Sequence, residues 1–159
     1  QPDAVEIQHR LAMVDLLSPL WREAQQTIAA AARVHVFSKG ETIIRQGAVG
    51  DSMFIVHEGI VSVRVDDREV ARLKPGEFFG EMALLTGERR AADVIALSDV
   101  VAVEIAKDAL EPVLRDHPEL AAAISARVME RRGTLDARAD AGDDPHQSVL
   151  SRIRAWFGL

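Results

Sequence analysis

Between Val34 and Ile105 the chain is cut into short apolar runs rich in β-branched residues, and this limits what it can fold into. The runs are Val34 with Val36, then Ile43-Ile44, Phe54-Ile55-Val56 and Ile60 to Val65, separated by Gly40, Gly47, Gly50 and Gly59. Short Val- and Ile-rich segments bounded by turn residues read as strands. Many of them in succession imply an antiparallel barrel or jelly roll. Asp66-Asp67 divides Val63-Arg64-Val65 from Glu69-Val70-Ala71-Arg72-Leu73 as a hairpin tip, with its turn type open because glycine is lacking. Pro75-Gly76 is a further turn. Val94-Ile95 and Val100 to Ile105 close the β region, with Val101, Val103 and Ile105 alternating against Ala102 and Glu104.

Helical patterns flank this region. Ile7, Leu11 and Val14 recur at helical spacing and predict a helix over about Asp3 to Leu17. Ser18-Pro19 reads as an N-cap followed by proline, opening a second helix that runs through Ala29 to Ala32. After the strands, Lys107 to Arg115 and Pro118 to Arg132 read as helices, the second opened by proline and closed by Gly133. Leu120, Ile124 and Val128 form its apolar stripe, with Arg131 on the same face. Thr134 to Pro145, rich in Asp, Ala and Gly, reads as a linker. Val149, Leu150, Ile153, Trp156 and Phe157 then make a last apolar stripe beside Arg152 and Arg154, which either packs back on its own domain or docks on a partner or membrane surface. The predicted class is α+β: a β-roll flanked by N-terminal helices and C-terminal lid helices. The expected divisions are 1–133, 134–145 and 146–159.

One run inside the β region carries chemistry. In Phe79-Gly80-Glu81-Met82-Ala83-Leu84-Leu85-Thr86-Gly87-Glu88-Arg89-Arg90-Ala91-Ala92, Gly80 lets backbone approach an anion, and Met82 to Leu85 can form a short helix whose free N–H groups point at it. Arg90 follows at a spacing that lets its guanidinium return to the same oxygens. A carboxylate beside a bound phosphate is repulsive unless it serves another group, so Glu81 is assigned to a sugar hydroxyl. Taken bare, the same residues also fit a surface turn capped by Gly87. The cradle needs no catalytic side chain, so the chain reads as a ligand sensor rather than an enzyme.

Charge and residue usage exclude several classes. A net charge of −6 over 159 residues argues against a general nucleic-acid binder. The absence of cysteine removes disulfides, thiolate nucleophiles and Cys-type zinc sites. His9, His35, His57, His117 and His146 are scattered, with no His-x-His pair, against a cupin-type metal enzyme on a similar roll. No apolar run approaches the ~20 residues that cross a bilayer, and no signal peptide is present. The chain opens Gln1-Pro2 without an initiator methionine, so it reads as a soluble piece of a longer polypeptide.

The order Gly-Glu, Ala-Leu-Leu, Arg-Ala-Ala resembles the phosphate-binding cassette of the cyclic nucleotide-binding domain family. Gly40 to Val56 and Gly59-Ile60-Val61-Ser62-Val63 match the family's pattern as well, and the resemblance covers about Leu11 to Gly133. It implies a 3′,5′-cyclic nucleotide in the roll, with no cofactor or metal. Backbone N–H groups of Gly80, Glu81 and Ala83, with Met82 in the same turn, and the Arg90 side chain would hold the cyclic phosphate. Glu81 would take the 2′-hydroxyl. Ala91 would add a backbone contact, and its lack of a hydroxyl implies cAMP over cGMP. Val63 and Ala71 are either apolar contacts to the purine or ordinary core. The helix after Pro118 would act as lid, with Arg131, or Arg132 in its place, against the base. The family usually has proline immediately before the cassette arginine. Arg89 stands there instead and offers a second guanidinium.

The resemblance further implies the cytoplasmic regulatory domain of a bacterial inner-membrane channel of mechanosensitive type, in which the nucleotide drives helix rearrangement and the full-length protein is a homo-oligomer. The tail Ser151 to Leu159 and the lack of a helix-turn-helix are similar to such domains. The alternatives are the sensor part of another cAMP effector, such as a transcription regulator without its DNA-binding part, and a β-roll interaction module that binds no nucleotide.

Overall fold

The computed structural model describes residues 2–13, 20–132 and 145–159, with the side chains of 10–13, 131–132 and 145–148 excepted. Helices α1 (Ala4–Met13) and α2 (Arg22–Ala31) lead into strands β1 (Arg33–Phe37), β2 (Thr42–Ile44), β3 (Ser52–Glu58), β4 (Val61–Val65), β5 (Arg68–Leu73) and β6 (Phe78–Phe79). Helix α3 (Glu81–Thr86) interrupts the strands before β7 (Asp93–Ala96) and β8 (Val100–Ala106). Helices α4 (Lys107–Asp116), α5 (Glu119–Arg132) and α6 (Pro145–Phe157) follow.

The strands form two four-stranded antiparallel sheets, ordered β1-β8-β3-β6 and β2-β7-β4-β5. This is the expected roll. Its packing explains why β3 reads as an unbroken apolar run. Phe54 and Val56 face the opposite sheet with Val61, Phe79, Val94 and Ala102. Met53 and Ile55 point the other way, into a second core shared with α2 to α6. Both faces of the strand are therefore dry. In β8 likewise, Val100 and Ala102 fill the space between the sheets while Val103 and Ile105 meet the helices.

The hairpin tip has φ of 52° at Asp66 and 65° at Asp67. Positive φ at both central residues is the two-residue turn that matches strand twist, and aspartate tolerates it better than most side chains. Gln46 holds the tip with its side chain: Oε1 accepts from the Asp66 N–H at 2.9 Å, and Nε2 donates to the Asp66 carboxylate at 3.1 Å.

Two helical expectations change. Asp3 caps α1 by accepting from the Glu6 N–H at 2.9 Å, but residues 14–17 of the expected first helix lie outside the described residues. Helix α2 begins at Arg22 with Trp21 in the capping position, not at Ser18-Pro19, a pair that also falls outside them. Trp21 sits edge-on to His117 with centroids 4.1 Å apart, so a tertiary ring contact marks the helix start where a side-chain cap was expected.

The expected lid helix packs on the C-terminal helix. Leu120, Ala121, Ile124 and Val128 of α5 are buried in the helix-side core with Val149, Leu150, Ile153 and Phe157 of α6. Burying both stripes together removes more apolar surface from water than leaving either exposed. The side chains of Arg131 and Arg132 and residues 133–144 lie outside the described residues, and Pro145, the last residue of the expected linker 134–145, begins α6 instead.

Candidate functional site

Gly80 ends β6 and caps α3 with φ +80°. A side chain there would be strained, and there is no room for one: an added Cβ would lie 2.6 Å from Arg90 Nη1. Gly50 makes the matching approach from the other side, where a Cβ would fall 2.4 Å from Arg90 Nε. The Arg90 guanidinium therefore lies between two glycine backbones. Nη1 donates to the carbonyls of Ser52 and Gly80, and Nη2 donates to Ser52 Oγ at 3.0 Å. Phe54, stacked on Phe79 at 5.3 Å, lies under it with the ring centroid 6.0 Å from Cζ.

An arginine that is only 8% exposed needs compensating charge. Burial lowers its pKa, and the carboxylates of Glu104 and Asp51 oppose that shift. Glu104 is linked to it through Ser52, whose hydroxyl donates to Glu104 Oε2 at 2.7 Å while accepting from Arg90. The other Glu104 oxygen is 2.8 Å from His35 Nε2. Burial alone would raise the Glu104 carboxyl, but the hydrogen bonds from Ser52 and His35 and the charges of His35 and Arg33 bring it below the usual carboxylate value. Glu104 thus stays ionised as a counter-charge behind the arginine.

Arg90 opens onto a cavity of about 260 Å³, just below the ~300–1,000 Å³ usual for small-molecule sites. Gly80, Glu81, Met82, Ala83, Arg90 and Ala91 line one wall. Val63 and Ala71, paired across the β4–β5 hairpin, line another with Ile44 and Leu73. The first-turn N–H groups of α3 have no acceptor within the helix. One wall is thus polar and cationic and the rest apolar. Both adjacent arginines line the cavity, but Arg90 is buried, whereas Arg89 is exposed at the rim and donates to the Gly47 carbonyl at 3.0 Å.

Of the residues singled out in the sequence, Gly80, Glu81, Met82, Ala83, Arg90, Ala91, Val63 and Ala71 line this cavity, while the Arg131 side chain lies outside the described residues. Ser52, Gly50, Phe54 and Glu104 were not anticipated. Gly50, Ser52 and Phe54 lie in the Gly40 to Val56 stretch that matches the family's pattern, which was the signal available for them. Among the described residues no group of His, Cys, Asp or Glu is placed to hold a metal ion.

Gly80→Ala combines a left-handed φ with a steric clash. We expect a stability loss of ~1–2 kcal/mol from the backbone strain alone, measured by urea unfolding. Unchanged stability would mean that Gly80 does not hold this conformation in solution.

A family model described as the cyclic nucleotide-binding domain matches residues 34–117. A cyclic nucleotide-gated potassium channel of Rhizobium etli is 37% identical over 123 residues, which is 77% of this chain and 34% of the channel. A cGMP-dependent protein kinase of Eimeria tenella is 36% identical over 104 residues, 65% of this chain and 10% of the kinase. The chain thus spans about a third or less of the length of these relatives. Among solved structures, the N-terminal domain of a transcriptional regulator from Streptomyces coelicolor superposes with a TM-score of 0.69 at 28% identity, covering 84% of this chain and 98% of that one.

Proposed function

The chain belongs to the cyclic nucleotide-binding domain family, and from that premise we propose that it is a cAMP-preferring sensor whose ligand regulates an attached bacterial membrane channel from the cytoplasmic side. The observation that carries the reading is the buried Arg90 guanidinium, set against the Gly80 backbone at the mouth of a largely apolar cavity. A cyclic phosphate would meet a fixed cation and helix N–H groups there. We read the site as binding its ligand without turning it over.

In this reading the N–H groups of Gly80, Glu81 and Ala83 and the Arg90 side chain take the phosphate, and Met82 lines the same turn. Glu81 accepts from the ribose 2′-hydroxyl. A 2′-deoxy ligand leaves that carboxylate unpaired, at about 1–3 kcal/mol. Val63 and Ala71 supply an apolar wall for the purine. Arg131 keeps its assignment to the base as part of this proposal.

The relatives include proteins named for cGMP, so the choice of base rests on Ala91, which lines the cavity and is exposed within it. Alanine offers no hydroxyl to a guanine amino group. Calorimetric titration with cAMP and cGMP tests the reading, and saturable binding with cAMP tighter is expected. Ala91→Thr should improve cGMP relative to cAMP by roughly 2- to 10-fold, the worth of one neutral hydrogen bond. An unchanged ratio would refute the role of Ala91, and no heat with either nucleotide would leave a β-roll interaction module.

The channel rests on the Rhizobium etli relative, and the match to a transcriptional regulator's N-terminal domain keeps a different effector as the second reading. Sequence upstream of Gln1 separates the two: long apolar segments support the channel, and a DNA-binding or other effector domain supports the alternative. Attachment to a membrane protein and homo-oligomerisation of the whole protein belong to the same proposal.

A further inference from the structure

Helix α3 is six residues long. A helix of that length does not hold itself in water, because nucleation consumes more order than so few hydrogen bonds return. Its geometry must therefore come from what it packs on. Leu84 and Leu85 anchor its buried face in the helix-side core. Its C-terminal end is held by α6, a helix beginning about sixty residues further along the chain.

Three contacts make that connection. Trp156 Nε1 donates to the Leu84 carbonyl at 2.9 Å, within the last turn of α3. Gly87, which ends α3 with φ +74°, leaves room for the same indole: a Cβ there would meet the ring at 2.7 Å. Glu88, the next residue, pairs with Arg152 one turn earlier on α6. Lys107 at the start of α4 covers the outer face of the indole, its Nζ 4.0 Å from the ring centroid. The half-buried indole is thus flanked by α3 and α4 and bonded to the backbone of α3.

We propose that α6 is part of the nucleotide site, with Trp156 as a positioning residue that holds the Gly80–Ala83 backbone and α3 in place against the cavity from behind. The inference rests on the nucleotide reading above and deepens it. Because the same short helix serves the ligand at one end and Trp156 at the other, docking of α6 and occupancy of the cavity are linked. Each stabilises the other by the same factor. A partner that draws α6 away lowers nucleotide affinity, and nucleotide binding retains α6 on the domain.

The test uses the full chain and two readouts. In a Trp21→Phe background Trp156 is the sole indole, and its emission is expected to change on cAMP titration with the midpoint found by calorimetry. Trp156→Phe keeps a ring but loses the donor, and should weaken cAMP binding about 3- to 10-fold. Gly87→Ala displaces the indole from the opposite side and should reproduce that loss. Val100→Ala, in the core between the sheets, controls for general destabilisation and should leave affinity within about twofold. Saturable cAMP heat with flat Trp156 emission, and with both variants within twofold of the parent, would overturn the role of α6 alone. Absence of heat with cAMP and cGMP in the unaltered chain would remove the nucleotide reading, and this inference with it.

Discussion

Arg90→Ala weakens cAMP binding by about 10- to 150-fold, the range expected when hydrogen bonds to a charged group, worth ~1.5–3 kcal/mol, are lost. The size follows from placement. Arg90 is held between the Gly50 and Gly80 backbones and bonded to Ser52, so its charge is already oriented when ligand arrives. Arg89 also lines the cavity but is exposed at its rim and engaged with the Gly47 carbonyl, so it is not expected to take over the role. Arg90→Lys keeps the charge but loses the planar fork, and should recover only part of the affinity. Removing the buried guanidinium relieves its desolvation but leaves the Glu104 charge and the carbonyls of Ser52 and Gly80 without that partner, so thermal stability should fall as well. Calorimetry and a thermal melt on the same preparations separate the two effects. Parent-like binding by the alanine variant would take the phosphate role from Arg90.

Phe157→Ala costs ~3–5 kcal/mol of stability, in the range for deleting a buried phenylalanine. Phe157 is 1% exposed and is among the largest fully buried side chains. It closes the helix-side core together with Leu110, Leu114 and Ile153. Against a total stability of about 5–15 kcal/mol this loss is large. Urea unfolding should show a lower midpoint with an unchanged slope. A loss under about 0.5 kcal/mol, the usual result at an unstructured or exposed position, would mean that α6 spends its time off the domain.

These two residues also mark how far the chain could be read before its fold was known. Residues around Arg90 were legible because the requirements are local. A glycine with positive φ, a short apolar helix and an arginine after a closing turn lie within one stretch of sequence, and Gly80 and Arg90 do meet in space. The roll was legible for the same reason, since strand periodicity and glycine breaks act over a few residues. The apolar stripe of α6 was equally visible, but not what it would cover. The Leu120-Ile124-Val128 stripe suits a cavity mouth or a core, the Val149-Ile153 stripe suits its own domain, a partner or a membrane surface, and periodicity cannot rank those outcomes.

The sequence by itself determined the strand-rich class, the cassette turn and the residue types that a phosphate would need. Only the tertiary structure decided that Arg90 and not Arg89 points inward, that Ser52 and Glu104 stand behind it, and that α6 lies on α3 and α5. Those outcomes depend on contacts between residues far apart in the chain, such as Ser52 with Glu104 and Trp156 with Leu84. Local propensity acts over a turn or a strand, whereas the burial that selects among such contacts is settled only when the whole core closes.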